Sequence, residues 1–241
     1  TQTSEWKTQI YMPPGHPLLL GTGGGGTYRS NKEIYDDHST LYPGDPRLDL
    51  YVDSQYVRTD NNVTVVVYPR NRTTQGWPYI IKYYSGNRNG FFGEKNYIYF
   101  RYGDFLLMLA EIENELRGPV GAYKYVNAVL LRARDTNGDG VANTIQPANW
   151  AGMTKDIFRQ RIMDERLYEL RGEGQEWFEN RRRGYDYFLE HVIRKHNNNP
   201  TRDVVRDFVY PENAKNMLLP IPSVEINSNQ LIGPADQNPG Y

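Results

Sequence analysis

One stretch limits the fold of this chain more than any other, and it runs from Tyr97 to Arg117. Apolar residues recur there at alternating steps of four and three: Ile98, Tyr102, Phe105, Leu109, Ile112 and Leu116. This spacing puts them on one face of an α-helix, and such a stripe is normally buried. Leu106 and Ala110 widen the stripe. The sequence therefore predicts a helix buried against more than one neighbour.

Further helices are predicted after this one. Gly118 suits the residue that ends a helix, and Pro119 suits the first position of the next, where a missing N–H costs nothing. The second helix continues to Ala133 and completes an αα-hairpin. Two more helices are expected, at about 154–171 and 175–191. Successive helix pairs indicate a fragment of a tetratricopeptide-like solenoid.

The part before Tyr97 shows no helical periodicity. Residues 63–68 are the best strand candidate, and residues 79–84 are a second. The predicted fold class is mainly α, with tetratricopeptide-like helical hairpins and a long irregular wing of loops and short strands. Two domains are predicted: a loop-rich wing at 1–96 that carries the ligand-binding part, and a helical domain with an extended tail at 97–241.

Composition excludes several classes of function. The formal net charge of −1 over 241 residues provides no long-range attraction to nucleic acid, which is therefore not an expected partner. Cysteine is absent, so this chain contains no disulfide or thiolate metal site. No apolar run is long enough to cross a bilayer. The first residue is Thr1 rather than methionine, so we expect the chain to be processed or cut from something longer.

Four blocks of residues resemble a known family. They are Phe100-Arg101-Tyr102 through Glu111, Asn127 to Ala133, Glu165 to Arg182, and Leu219-Pro220-Ile221-Pro222 with the terminal Gln237-Asn238-Pro239-Gly240-Tyr241. Asp45-Pro46-Arg47-Leu48 matches more weakly. On these blocks the chain resembles the SusD/RagB family, the surface glycan-binding lipoproteins of Bacteroidetes. Members are usually about twice as long, so the resemblance implies a C-terminal half.

The resemblance implies an α-α superhelix and a non-catalytic role in nutrient uptake. The protein would bind oligosaccharide or polysaccharide on the outer face of the outer membrane and deliver it to a SusC-like TonB-dependent transporter. A lipid anchor in the missing N-terminal half would hold it at the membrane. Two alternatives remain: a peptide-binding, RagB-like uptake protein and a glycoside hydrolase.

The hydrolase alternative is disfavoured by the helix that carries the acidic residues. Glu165, Glu169 and Glu173 are expected near basic side chains, namely Arg166, Arg171 and Arg181. Opposite charges lower the pKa of a carboxyl group, and a general acid needs a raised one. We expect these residues to form an ion network that joins adjacent helices.

Candidate ligand residues lie mainly in the wing. A sugar site needs flat aromatic faces for the C–H side of the ring and planar polar groups for the hydroxyls. Trp77 is the first candidate. The others are the aromatic residues Tyr79, Trp6, Tyr42 and Tyr83 and the polar residues Arg72 and Asn87. The alternative is that each aromatic residue only packs the wing onto the helices.

The segment Asp135–Gly140 resembles the opening of a calcium-binding loop. Asp135, Asn137 and Asp139 place oxygen ligands at alternate positions before a glycine. The bidentate glutamate expected at the twelfth position is missing, since Gln146 occupies it. The alternative is a turn without metal. A structural calcium ion is thus the one cofactor that the sequence suggests.

Overall fold

The computed structural model describes most of the chain. The described residues are 3–4, 13, 15–19, 26, 29–68, 77–82, 88–89, 92–93, 98–200, 202 and 207–241. The chain forms two compact units, Thr1–Glu176 and Trp177–Tyr241. This boundary lies inside the second domain predicted from sequence, and the division at residue 96 stays a prediction.

The first unit contains two helices that the sequence analysis missed. The α-helices among the described residues of this unit are α1 (Lys32–Leu41), α2 (Pro46–Tyr51), α3 (Tyr102–Arg117), α4 (Pro119–Arg134) and α5 (Lys155–Glu169). Asn31 caps α1, because its side-chain oxygen accepts the N–H groups of Glu33 and Ile34 at 2.9 and 3.3 Å. The prediction that residues 1–96 lack helices is therefore wrong.

The αα-hairpin is confirmed. Gly118 has a φ of +88° between α3 and α4, and Pro119 opens α4. The third predicted helix is also confirmed, and Thr154 caps it by accepting the N–H of Ile157 at 3.3 Å. The core between these helices consists of Leu106, Leu107, Ala110, Ala122, Val126, Val129, Leu130, Trp150, Phe158 and Ile162.

The predicted buried stripe of α3 is wrong. Its members are largely exposed: Ile98 at 62%, Tyr102 at 74%, Phe105 at 50%, Ile112 at 52% and Leu116 at 69%. The buried residues of α3 are Asp104, Leu106, Leu107, Ala110 and Asn114. The helix is apolar on two sides, and periodicity alone does not tell which side this chain covers.

The strands are short and pair in antiparallel fashion. They are β1 (Thr3–Ser4), β2 (Val52–Asp53), β3 (Gln55–Val57), β4 (Thr64–Val66), β5 (Tyr79–Ile80), β6 (Arg88–Asn89) and β7 (Phe92–Gly93). β2 pairs with β5, β3 with β4, and β7 lies between β1 and β6. Both strand predictions are confirmed in shortened form.

The second unit contains shorter helices. They are α6 (Glu176–Arg181, which starts at the last residue of the first unit), α7 (Tyr185–Phe188), a π-helical segment (Leu189–Arg194), α8 (Lys195–Asn197) and α9 (Ser223–Ser228). The fourth predicted helix is interrupted near Gly184, whose φ is +87°. Within the described ranges, none of the helices combines the length and the apolar character that a bilayer crossing requires.

The terminal motif closes on the preceding proline-rich segment. The Gln237 amide accepts the N–H of Ile221 at 2.8 Å and donates to its carbonyl at 3.0 Å. Asn238 donates to the carbonyl of Leu219 at 2.6 Å, and the Tyr241 hydroxyl donates to that of Leu218 at 3.2 Å. Prolines at alternate positions leave these carbonyls free, since proline forbids helix there. The motif is therefore structural.

Candidate functional site

The first unit contains a buried ion cluster around Arg47. Its guanidinium contacts three carboxylates: Asp45 at 2.7 Å, Glu165 at 2.6 Å and Glu169 at 3.0 Å. All four side chains are at most 1% exposed. Together with His38, which contacts Asp45, we call these residues the Arg47 cluster. It joins the start of α2 to the end of α5, more than a hundred residues away.

Local sequence explains how Asp45 and His38 enter the cluster. Asp45 caps α2 by accepting the N–H of Arg47 at 2.9 Å, with Pro46 in the first helical position. The His38 ring has its Nε2 2.8 Å from Asp45 and its Nδ1 3.2 Å from the Arg171 guanidinium. Since arginine can only donate, Nδ1 accepts and Nε2 carries the proton. The surroundings thus select the neutral imidazole.

Burial and charge act against each other on the pKa values of the cluster. Burial lowers the pKa of His38 from 6.5 to about 4, although the hydrogen bond with Asp45 acts in the other direction. Burial raises the pKa of Glu169, but Arg47, Arg132 and Arg101 outweigh burial and lower it to about 2. Burial dominates at Glu165, so its pKa is raised despite the charge of Arg47.

Further cations extend the cluster toward the start of α3. Arg101 and Arg132 pair with Glu169. Arg101 also donates to both oxygens of Glu173 at 2.9 Å, and Lys82 pairs with the same carboxylate. The network prediction is confirmed for the three glutamates.

The basic partners predicted for these glutamates are wrong for Arg166 and Arg171. Arg166 instead contacts Asp104 at 2.7 Å, and Arg171 contacts His38. Adjacent residues of a helix point in different directions, so nearness in sequence does not pair Glu165 with Arg166.

Trp77 lies next to the start of α1, and the residues that follow it contact the segment before α1 as well as β2. The side chain is half-buried, and the Lys32 ammonium lies 5.1 Å from the centre of its ring. The carbonyl of the next residue, Pro78, accepts the N–H of Ser30 at 2.8 Å. β5 follows at once and pairs with β2. The position of Trp77 is therefore set by α1 and by the small sheet.

Lys32 was not found from the sequence. It is fully buried at the start of α1, and no motif or spacing connects it with Trp77. The pairing arises only from the antiparallel contact of residues 29–30 with residues 78–79.

Two of the predicted aromatic ligands belong to the core. Tyr42 is 3% exposed, and its hydroxyl accepts the Trp150 indole N–H at 2.7 Å. Tyr79 is 5% exposed and packs edge-on against Tyr56. Neither ring offers a free face, so both are removed from the proposed ligand contacts. Trp6, Arg72, Tyr83 and Asn87 lie outside the described residues and stay predictions.

The predicted calcium loop is exposed and uses its own backbone donors. The Asp135 carboxylate accepts the N–H groups of Gly138, Asp139 and Gly140 at 2.7, 3.1 and 2.8 Å. The Asn137 amide donates to Asp139 at 3.0 Å. In the part of the chain that the structure describes, no group of three or more His, Cys, Asp or Glu side chains is arranged to hold a metal ion. The turn already engages the oxygens that calcium would need.

Calcium at millimolar concentration is therefore expected to leave the thermal unfolding midpoint unchanged, because binding would have to break the hydrogen bonds to Asp135. Differential scanning calorimetry with calcium and with a chelator measures this. A rise of the midpoint that disappears in Asp139→Asn would contradict the expectation and identify a calcium site.

Comparison with known proteins identifies relatives along nearly the whole chain. A model of the SusD family matches residues 22–241. SusD-like protein P25 of Formosa agariphila is 33% identical over 181 residues, which is 68% of this chain and 29% of that protein. SusD-like protein P2 of the same organism is 34% identical over 173 residues, which is 68% of this chain and 30% of that protein.

Two solved structures share the fold. A SusD homolog from Bacteroides thetaiotaomicron superposes with a TM-score of 0.70 at 18% identity, covering 97% of this chain and 48% of the other. A SusD superfamily protein from Bacteroides fragilis gives 0.63 at 19% identity, covering 100% and 49%. The chain thus matches less than a third of the length of the curated relatives and about half of each solved chain.

Proposed function

The chain belongs to the SusD family, and from that premise we propose that it takes part in non-catalytic capture of oligosaccharide or polysaccharide at the cell surface. The captured glycan is delivered to a SusC-like TonB-dependent transporter in the outer membrane. The observation that carries this proposal is the family match over residues 22–241.

The environment of the acidic residues supports a binding role over a catalytic one. Glu165 and Glu169 are buried, with no measurable exposure, and both contact Arg47. A glycosidase needs two carboxyl groups that flank a bound sugar. Glu165 and Glu169 are enclosed by protein and cannot contact a bound sugar. Proteins of this family are in general non-catalytic binding proteins, and the cluster fits a structural role.

Trp77 is the residue on which we place the glycan contact. It is half-buried, so part of an indole side chain stays accessible on a segment that two elements hold in place. A side chain that is already fixed loses little conformational freedom when a ligand stacks on it. Contacts of this type bind weakly and release readily, as delivery to a transporter requires.

Trp77→Ala is expected to weaken glycan binding by about tenfold or more, or about 1.4 kcal/mol, because an aromatic contact is lost. Isothermal titration calorimetry measures the affinity, and circular dichroism checks the fold. Trp77→Phe keeps a flat ring and should lose less. Trp177→Ala is the matched control, since this tryptophan is 43% exposed in the second unit. Unchanged affinity in folded Trp77→Ala would remove Trp77 from the site.

The test of the function itself is affinity electrophoresis of the polypeptide as the cell makes it. The gels contain plant, host or microbial polysaccharides, and a peptide pool is assayed in parallel. Retardation by at least one polysaccharide supports the proposal. Binding to peptides and to no polysaccharide would assign the chain to the RagB-like alternative.

A further inference from the structure

A half-buried arginine, Arg29, lies close to the proposed glycan contact. It is directly opposite Tyr79 in an antiparallel bridge. The next pair in this register is Ser30 with Pro78, and the N–H of Ser30 donates to the carbonyl of Pro78 at 2.8 Å. Trp77 precedes Pro78, so its backbone lies diagonally across from Arg29, a separation of about 7–8 Å that long side chains can span. A ligand that contacts Trp77 can therefore also reach Arg29.

Two contacts hold the guanidinium of Arg29 in place. Its Nε donates to the carbonyl of Gly26 at 2.9 Å, and its Cζ lies 5.0 Å from the centre of the Tyr79 ring. The Tyr79 ring is itself fixed, since it packs edge-on against Tyr56 with the ring centres 6.3 Å apart. The planar group is thus held on an aromatic surface before any ligand binds. A donor that is already ordered loses little conformational freedom on binding.

The charge of Arg29 is not balanced within the part of the chain that the structure describes. No carboxylate there pairs with it, and its two terminal nitrogens donate to none of the described residues. Arg159, which is also half-buried, pairs instead with Glu115 at 2.6 Å. Partial burial removes water from a cation, and this costs free energy unless an opposite charge replaces the water. Arg29 is therefore suited to an anionic ligand.

An acidic group on the glycan would supply the missing charge. The two terminal nitrogens of a guanidinium form a planar fork that matches two oxygens of an oxyanion. Hydrogen bonds of this charge-assisted kind are about twice as strong as neutral ones. On the premise that the chain captures glycan at Trp77, as proposed above, we propose that Arg29 forms an adjoining subsite for a carboxylate or sulfate ester group. The preferred ligand is then an acidic polysaccharide.

Polysaccharides with and without the acidic group test this subsite. The carboxylate arm uses polygalacturonate and alginate, each with its carboxyl-reduced form, and the sulfate arm uses carrageenan and fucoidan, each with its desulfated form. Affinity electrophoresis of the polypeptide as the cell makes it gives a dissociation constant for each. The gels contain about 0.15 M salt, which screens long-range attraction between exposed charges.

Three variants are compared with the unmodified protein. Arg29→Gln removes the charge, and Arg29→Lys keeps the charge without the planar fork. Arg58→Gln is the matched control, because Asp60 already pairs with Arg58. Circular dichroism checks the fold of each variant.

At least one acidic polysaccharide is expected to bind about tenfold or more tightly than its neutral form, the difference that one charge-assisted contact provides. Arg29→Gln should abolish this preference by weakening binding of the acidic form. Arg29→Lys should retain only part of it, and Arg58→Gln should retain all of it. The arm in which the preference appears distinguishes a carboxylate from a sulfate ester.

Three results would overturn the acidic subsite: equal affinity for the acidic and neutral forms, no binding to any acidic form, or a preference that survives in full in folded Arg29→Gln. If Arg29→Gln does not fold, a full preference in Arg29→Lys would overturn it as well. Binding of a neutral polysaccharide that is weakened in Trp77→Ala would, in each case, leave glycan capture standing. Failure of the subsite is thus distinguishable from failure of the proposed function.

Discussion

Replacing Arg47 with methionine is expected to lower the free energy of unfolding by about 3–5 kcal/mol at neutral pH. The guanidinium is 1% exposed and contacts Asp45, Glu165 and Glu169, all of them buried. Its loss removes the cation that neutralises buried Asp45 and Glu165, whereas Glu169 keeps its pairs with Arg101 and Arg132. The substitution also removes the two ion pairs that join α2 to α5.

Urea unfolding followed by circular dichroism measures this change. Arg58→Met is the matched control, because Arg58 pairs with Asp60 at the surface and its removal should have little effect. Arg47→Lys keeps the charge but not the planar fork that reaches several carboxylates at once, so it should also be clearly destabilised. If Arg47→Met were as stable as Arg58→Met, the Arg47 cluster would not be a structural centre.

Lowering the pH from about 6.5 to about 4 is expected to cost about 3 kcal/mol of stability through His38 alone. Burial lowers the pKa of this histidine from 6.5 to about 4. Between these pH values the unfolded chain binds a proton at His38, whereas the folded chain does not. The unfolded state therefore binds more protons, and stability falls as the pH is lowered. Below about 4.5, Glu169 adds to the loss, because its pKa is lowered to about 2 in the fold.

His38→Gln isolates this contribution, since glutamine can still donate to Asp45 but does not titrate. The expected result is a flatter dependence of the unfolding free energy on pH between 6.5 and 4 than in the unmodified protein. His191, whose pKa is also lowered by burial, is present in both proteins and cancels in the difference. Parallel curves for the two proteins would show that His38 does not resist protonation in the fold.

Local signals predicted the helical hairpin well. Gly118, Pro119 and the cap at Thr154 depend on backbone geometry that a few neighbouring residues determine, and all three are confirmed. The buried side of α3 was not predictable in this way. Both sides of the helix are apolar, so the choice depends on which neighbours the chain supplies.

Contacts between residues far apart in the sequence limited how much of the site could be predicted. Asp45-Pro46-Arg47 was a weak motif in a region expected to be irregular, but Arg47 meets Glu165 and Glu169 across more than a hundred residues. The contact of Lys32 with Trp77 is of the same kind. Tyr42 and Tyr79 are aromatic, as residues that contact sugars often are. Both are buried, however, and burial depends on tertiary packing rather than on residue type.

Binding without turnover can be tested in a single titration. An oligosaccharide that retards the protein in affinity electrophoresis is incubated with the full polypeptide, and its NMR spectrum is followed for binding and for new reducing ends in the same sample. We expect saturable changes in the oligosaccharide signals, weakened in Trp77→Ala, with the oligosaccharide intact after prolonged incubation. Reducing ends that accumulate in proportion to protein concentration would contradict this expectation.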